Sequence, residues 1–160
     1  AYNIPGRTST LIELETLQTL VDDIGIHSIK DAVGDFEFSK KQLELLKDKV
    51  DIYSGNDNQT YDFVINGGVG VVSVASHVVG DEISEMISFA KDNDLEKAEE
   101  INMQLSNLFE AIFEEPSPGP IKKILSESWE EVGEPLLPIT SITPELANKI
   151  RGFYKKIKEN

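Results

Sequence analysis

The sequence predicts an α/β fold in which parallel strands alternate with helices. Three short segments rich in β-branched residues are predicted as strands, at 26–33, 50–55 and 68–75. Stretches with apolar residues three or four positions apart lie between and after them, as expected for amphipathic helices. The third segment, "GVGVVSVA", is almost continuously apolar, which is typical of a strand buried on both faces of a parallel sheet. Strand–helix repeats of this kind connect by right-handed crossovers.

The first residues predict the end of a strand that runs into a helix. The segment "YNIPGRTS" (2–9) carries a tyrosine and an arginine at this turn. Thr10 and Glu13 have the spacing of a capping box, which predicts that a helix begins there and ends at Gly25. Its apolar stripe is Leu14, Leu17, Val21 and Ile24.

Further helices are predicted along the rest of the chain. Ser39 and Gln42 form a second capping-box pattern, and a short helix is expected over 58–65. A long helical stretch over 81–113 is expected to break near Asn93 and Asp94. The segment "EPSPGP" (115–120) predicts a rigid linker that precedes two last helices. The final helix is expected to have Thr143 as its N-cap and Pro144 at its first position.

Two architectures fit this order of elements. One is a doubly wound sheet of three or four strands, and the other is a segment of a (β/α)8 barrel. A whole barrel needs about 250 residues, and this chain has 160. The glycine motifs G-x-G-x-x-G and G-x-x-x-x-G-K-[ST] are absent, so no nucleotide-binding fold is indicated.

Composition excludes several classes of function. Acidic residues outnumber basic ones by 29 to 15, and this net charge of −14 argues against nucleic-acid binding. No apolar run is long enough to cross a membrane, and no signal peptide is recognised. Cysteine is absent, which fits a reducing compartment, and a cytoplasmic location is expected. His27 and His77 lack the spacing of metal ligands, so no metal site is expected.

Lys30 is the residue that stands out within the predicted strands. It lies in "IHSIKDAV", near the carboxyl end of a strand that is otherwise largely apolar. At that end of a barrel strand, a side chain points toward the catalytic face. Removal from water favours the neutral amine of a lysine, which can attack a ketone and form a Schiff base. The alternative is that Lys30 simply extends into solvent or pairs with Asp31 or Asp35.

Five stretches in order resemble the carboxyl-terminal part of the dihydrodipicolinate synthase family, within the pyruvate-dependent class I aldolase and lyase superfamily. They are "YNIPGRTS", "IKDAVGD", "SGNDNQTYDFVINGGVGVVSV", "EPSPGPIK" and "LLPIT". The resemblance covers essentially the whole chain, and the separation of Tyr2 and Lys30 also matches the family. It implies the C-terminal portion of a (β/α)8 TIM barrel, from the end of strand 5 to strand 8, followed by a helical region. The implied domains are a partial barrel over 1–114 and a C-terminal helical extension over 115–160.

The resemblance also implies roles for five residues. Lys30 matches the lysine that forms a Schiff base with pyruvate, and Tyr2 matches a tyrosine that relays protons. Arg7 matches an arginine that receives the carboxylate of the aldehyde substrate. Val72 matches a position whose carbonyl lies near bound pyruvate, and Gly55 matches a glycine that leaves room at the site. No cofactor beyond the covalent imine is implied.

The implied reaction is the condensation of pyruvate with aspartate semialdehyde, as in lysine and diaminopimelate biosynthesis. Another pyruvate-dependent aldolase or lyase, of the N-acetylneuraminate lyase or 2-keto-3-deoxy acid aldolase type, is the alternative within the same class. A catalytically silent half-barrel is the second alternative, because the family's first half, with its G-T-T-G-E loop, has no match here. The expected partners are copies of the chain or a complementary N-terminal half.

Several positions depart from the family pattern. Ser9 stands where the family usually has glycine, Val33 where it has serine or threonine, and Asn56 where it has aspartate. The pair Ser76 and His77 replaces the usual Ala-Asn, and Ser117 and Gly119 alter the proline-rich stretch. None of these departures removes an implied catalytic side chain, but together they indicate a divergent member.

Overall fold

Four parallel strands and eight helices make up the computed structural model, which describes residues 1–159. The strands are β1 (Tyr2–Asn3), β2 (Ser28–Asp31), β3 (Asp51–Ser54) and β4 (Gly70–Val71). They lie in the order β1-β2-β3-β4, so each strand pairs with the next one along the chain. This order and direction confirm the predicted α/β fold with parallel strands.

Helices follow each strand and complete the chain. The bounds are α1 (Pro5–Thr8), α2 (Leu14–Asp22), α3 (Phe36–Leu45), α4 (Thr60–Ile65), α5 (Ser76–Lys91), α6 (Leu95–Ala111), α7 (Gly119–Ser128) and α8 (Pro144–Lys158). A short 3-10 turn, Asp57–Gln59, precedes α4. None of these helices combines the length and the apolar character that a membrane-spanning segment needs, as far as residues 1–159 are concerned.

Contacts within the chain define two compact units. The first contains residues 1–73 and 90–93, and the second contains 74–89 and the residues from 94 onward. The first unit holds the whole sheet with α2, α3 and α4. The predicted boundary between the partial barrel (1–114) and the helical extension (115–160) is a division of a different kind, based on the fold. It stays a prediction.

The core of the first unit lies between the sheet and its helices. Ile29 and Ile52 project from β2 and β3 into a cluster of buried apolar side chains from the helices: Leu17, Val21, Leu43, Leu46 and Phe63. The residues that alternate with them, Ser28 and Lys30 on β2 or Asp51 and Tyr53 on β3, are less buried. Successive side chains of a strand point to opposite faces, so one face of the sheet carries the helices and the other is open.

The second unit is helical. In it, α8 packs against α6 and α7 through buried residues that include Leu105, Leu108, Ile124 and Ile150. Thr143 caps α8 by accepting a hydrogen bond from Leu146 N–H, and Pro144 takes the first position, as predicted. The predicted break near Asn93 and Asp94 is also confirmed, since α5 and α6 are separate helices.

Both predicted capping boxes were wrong in position. The helix predicted from Thr10 is α2, and it begins at Leu14, because the N–H and C=O of Ile12 are bonded to the side chain of Asn3 and stay out of the helix. The helix predicted from Ser39 begins one turn earlier, at Phe36. There the carboxylate of Asp35 accepts hydrogen bonds from Glu37 N–H and Phe38 N–H.

The predicted strands are longer than the observed ones. The segment 26–33 contributes only Ser28–Asp31 to the sheet, and "GVGVVSVA" contributes only Gly70 and Val71. Gly67, three residues before β4, has a φ of 101°, a backbone conformation that side chains with a Cβ rarely tolerate. The linker predicted at 115–120 is also shorter than expected, because its last two residues, Gly119 and Pro120, begin α7.

The N-cap of α3 gives a direct test of its stability. We expect Asp35→Ala to lower the free energy of unfolding by about 1 kcal/mol, since two N–H groups of the first turn lose their acceptor. Asp35→Asn keeps a side-chain oxygen at this position and should retain most of the stability. Urea denaturation of the three proteins measures the difference, and an alanine variant as stable as the asparagine variant would contradict this capping role.

Candidate active site

The sheet register places Lys30 between two tyrosines. Tyr2 pairs with Lys30 across β1 and β2, Lys30 pairs with Tyr53 across β2 and β3, and Tyr53 pairs with Gly70. These four residues, the lysine row, share one side of the sheet, because register partners in a parallel sheet point the same way. This is the open face, opposite the side that carries the helices.

Lys30 and Tyr2 are in direct contact. The Nζ atom of Lys30 lies 4.3 Å from the centroid of the Tyr2 ring, within the range of a cation–π interaction. Tyr2 is 47% exposed, so its ring borders the open face instead of lying in the core. The lysine amine therefore lies over the ring whose phenol can both donate and accept a hydrogen bond.

Gly55 makes room for the lysine. It follows β3 directly, and its N–H donates to the carbonyl of Asp31 at 2.5 Å. A Cβ at this position would lie 2.7 Å from Ala32 Cβ, 2.9 Å from the Asp31 carbonyl oxygen and 3.0 Å from Cε of Lys30. All three neighbours belong to residues 30–32, the strand end that carries the lysine, so only glycine fits without displacing it.

Val72 and Arg7 follow two other strands of the same sheet, β4 and β1. Val72 follows β4, and its N–H donates to the carbonyl of Ser54 at 2.8 Å. Val72 is 48% exposed. Arg7 lies in α1, in the loop after β1, and is exposed. Among residues 1–159, Arg7 makes no ion pair. The structure therefore brings Tyr2, Lys30 and Gly55 together and leaves Arg7 available on a separate loop.

A second row of residues was missed from the sequence. One position beyond the lysine row, Asn3, Asp31 and Ser54 are in register with one another and buried on the helix-bearing side. We refer to these three residues as the polar row. Each strand end has the same order of types, a large polar or aromatic residue and then a small polar one: "YN", "KD" and "YS". This repeated pair of residue types is the sequence pattern from which the polar row could have been predicted.

Asp31 is the titratable member of the polar row. Its carboxylate accepts hydrogen bonds from Val33 N–H at 2.9 Å and from Gln42 Nε2 at 3.2 Å. Burial raises the pKa of Asp31 above the usual value for an aspartate, while hydrogen bonds from Val33, Ser39 and Gln42 oppose that rise. This carboxylate is therefore held directly behind the strand end that presents Lys30.

Comparison with known proteins identifies the family. A sequence model of the dihydrodipicolinate synthetase family matches residues 1–157. This chain belongs to that family. The lysine row thus lies on a scaffold shared with the family's lyases.

Curated relatives agree with this assignment. The 4-hydroxy-tetrahydrodipicolinate synthase of Listeria monocytogenes serotype 4b (strain CLIP80459) is 34% identical over 158 residues, which cover 99% of this chain and 54% of the relative. The synthase of the same name from Thermosynechococcus vestitus is 41% identical over 150 residues, which cover 94% of this chain and 51% of the relative.

Solved structures of family members share the fold. The dihydrodipicolinate synthase of Cyanidioschyzon merolae, crystallised with lysine bound, superposes with a TM-score of 0.92 at 35% identity, over 98% of this chain and 53% of that one. The 4-hydroxy-tetrahydrodipicolinate synthase of Methylacidiphilum fumariolicum SolV superposes with a TM-score of 0.93 at 30% identity. The match covers 99% of this chain and 53% of that one.

The chain spans about half the length of the relatives that it matches, and it corresponds to their C-terminal half. This correspondence confirms the predicted fold class, the C-terminal portion of a (β/α)8 barrel with its helical region. The roles of the individual site residues stay predictions from the resemblance.

The close packing around Gly55 predicts a sharp response to a single methyl group. We expect Gly55→Ala to lower the free energy of unfolding by about 1–3 kcal/mol, because backbone and Cβ atoms of the neighbouring strand must move. Gly152→Ala is the matched control. Gly152 lies within α8 with nothing within 4 Å of an added Cβ, so alanine should be neutral or stabilising there. Equal losses in the two variants, measured by urea denaturation, would contradict the packing described for Gly55.

The burial of Asp31 predicts a pH-dependent effect of Asp31→Asn. Because the folded-state pKa lies above the ordinary value of 3.8, the stability that Asp31 contributes is greatest below that value and is lost as pH rises through the folded-state pKa. Asparagine does not titrate. The unfolding free energy of the variant minus that of the unchanged chain should therefore become more positive from acidic to neutral pH.

Urea denaturation of both proteins across this range measures the difference. A difference that stays constant with pH, or that falls, would show that the carboxylate of Asp31 is not held in a folded state that disfavours its charge.

Proposed function

We propose that this chain carries the pyruvate-binding part of a 4-hydroxy-tetrahydrodipicolinate synthase. The observation that supports this most directly is the position of Lys30, whose Nζ atom lies 4.3 Å from the Tyr2 ring on the open face of a parallel sheet. The family assignment supports the lyase class. The reaction proposed is the condensation of pyruvate with aspartate semialdehyde, in the biosynthesis of lysine and diaminopimelate.

Lys30 is proposed as the nucleophile. In the first step its neutral amine attacks the ketone carbon of pyruvate, and the carbonyl oxygen takes up a proton to give a carbinolamine. A second proton lets that oxygen leave as water, which gives a protonated imine. Loss of a proton from the methyl carbon then converts the protonated imine to a neutral enamine. The enamine carbon then attacks the aldehyde carbon, so no cofactor beyond the imine is required.

Tyr2 is proposed as the group that moves protons in these steps. Its phenol both donates and accepts hydrogen bonds, and its ring already contacts the amine of Lys30. It can donate to the departing oxygen of the carbinolamine and accept a proton afterwards. The exposure of Tyr2 leaves its edge accessible to a substrate that enters from the open face.

Arg7, Val72 and Gly55 are proposed to hold the substrates. A guanidinium offers a planar set of donors that matches a carboxylate, and Arg7 has no competing carboxylate among the described ion pairs. We assign it to the carboxylate of the aldehyde, and the backbone at Val72 to the neighbourhood of pyruvate. Gly55 keeps the space beside Lys30 Cε clear.

The sheet requires a partner to become a closed barrel. Within residues 1–159, β1 and β4 each pair on one side only, so both outer strands present unpaired backbone groups. Such edges promote association with another strand. We propose that a complementary N-terminal half or further copies of the chain cover them, and that the open face becomes the barrel interior in that assembly.

Borohydride trapping with pyruvate, followed by peptide mass mapping, tests the proposal. We expect a reduced adduct on Lys30 of the unchanged chain. Lys30→Met should abolish it, while Lys40→Met, which removes an exposed lysine from α3, should leave it intact.

Two other outcomes are informative. An adduct spread over several lysines would contradict a specific nucleophile. The complete lack of an adduct, under conditions in which a full-length family member is labelled, would favour the catalytically silent half-barrel.

A further inference from the structure

The three residues of the polar row share an unusual environment for polar side chains. Asn3, Asp31 and Ser54 are each at most 1% exposed, and they sit side by side at the carboxyl ends of β1, β2 and β3. Burying polar groups is unfavourable unless they are hydrogen-bonded, so the partners of each one indicate why it is there. Apart from Gln42 of α3, which donates to Asp31, those partners belong to the loops that leave the strands.

Each residue of the polar row bonds the backbone of the loop that follows its own strand. Asp31 accepts from Val33 N–H, two residues further on. Ser54 donates to the Asn56 carbonyl at 2.8 Å and accepts from Asn56 N–H at 3.1 Å. Asn3 reaches furthest, to Ile12, and thereby encloses a loop that includes Arg7.

The bonds between Asn3 and Ile12 come as a matched pair. Asn3 Nδ2 donates to the Ile12 carbonyl at 2.9 Å, and Asn3 Oδ1 accepts from Ile12 N–H at 3.0 Å. The side-chain amide thus takes the place that a neighbouring peptide group would hold in a sheet. Within the polar row, only the side chain of Asn3 bonds to backbone groups as far as nine positions along the chain.

The loop between Asn3 and Ile12 is tightly folded around Arg7. The N–H groups of Arg7 and Thr8 both donate to the Ile4 carbonyl, at 3.0 and 3.1 Å. The Thr8 hydroxyl lies 3.0 Å from the carbonyl oxygens of both Ile4 and Thr10. With its interior bonded in this way, the loop is anchored to the sheet through Asn3 at both ends.

We propose that Asn3 is a positioning residue that holds Arg7 where it can bind the carboxylate of the aldehyde. This inference rests on the proposed function, because it assigns a supporting residue to the arginine of that reaction. Asn3 lies on the helix-bearing side of the sheet and acts only through the loop, whereas Lys30 is anchored by its own strand. Loss of the Asn3–Ile12 bonds should therefore impair recognition of the carboxylate and spare the reaction of Lys30 with pyruvate.

Asn3→Asp is the sharpest substitution available at this site. Aspartate has the same shape and keeps an acceptor for Ile12 N–H, but it replaces the donor to the Ile12 carbonyl by a second oxygen. Asn66→Asp is the matched control, since Asn66 Nδ2 also donates to a backbone carbonyl, that of Asp62, at the exposed end of α4. Both variants add one negative charge and remove one bond of the same type.

The experiment compares two aldehydes after Lys30 has been loaded with pyruvate. Succinic semialdehyde carries a carboxylate, and butanal has four carbons without one. Borohydride quenching and mass mapping give the rate at which the pyruvate adduct of Lys30 is extended by each aldehyde. The ratio of the two rates measures recognition of the carboxylate, and we expect Arg7→Met to lower it by about 10- to 100-fold.

We expect Asn3→Asp to lower this ratio by a similar factor while the pyruvate adduct itself forms as before. The double variant with Arg7→Met should be no worse than either single variant, because both remove one interaction. Asn66→Asp should leave the ratio unchanged. In parallel, hydrogen exchange at the Ile12 amide and through residues 4–12 should accelerate in Asn3→Asp alone.

The outcomes separate this inference from the proposed function. If the unchanged chain forms no pyruvate adduct, the proposed function fails. If the adduct forms and Asn3→Asp keeps the preference for succinic semialdehyde, the positioning role of Asn3 is overturned. Equal losses with both aldehydes, or additive effects of the Asn3 and Arg7 substitutions, would likewise overturn it in favour of a general structural role.

Discussion

The alternation of side chains along the parallel strands is the constraint on which the rest of the structure depends. Ile29 and Ile52 must face the helices for the core to form, which forces Lys30 and Tyr53 onto the opposite face. The register then places Tyr2 beside Lys30 without any further requirement. A slip of one residue in β2 would bury Lys30 among apolar side chains and expose Ile29, so the same pairing fixes both the hydrophobic packing and the candidate chemistry.

The strands and the larger helices were predictable from the sequence, because apolar periodicity records which residues are buried. The order of the strands was not, since a doubly wound sheet fitted the same pattern and only the family resemblance favoured the barrel. The stripe Leu14, Leu17 and Val21 lies in α2 as predicted, although Ile24 lies beyond its end and is largely exposed. Lys30 could be singled out because a charge within an apolar strand requires an explanation. Tyr2 and Arg7 entered only through the family resemblance, since a lone tyrosine or arginine carries no pattern of its own.

The predicted start of α2 was wrong for a reason that lies outside the local sequence. Thr10 and Glu13 have the composition of a capping box, but the backbone of Ile12 between them is bonded to Asn3, a residue nine positions away. A bond at that distance is invisible to a pattern read over four residues. Val33 stands where the family usually has serine or threonine. Its bond to Asp31 uses the backbone N–H of Val33 and therefore does not depend on the side chain.

The polar row makes each strand end and its loop a largely self-contained piece. Asn3, Asp31 and Ser54 each bind the loop that leaves their own strand, so one residue of the sheet holds each of these three loops. A loop of another length or composition can therefore replace an existing one while the strands and the lysine row keep their register. With the roles proposed above for Lys30 and Arg7, exchange of the Arg7 loop during evolution would change the second substrate and leave the reaction with the first in place.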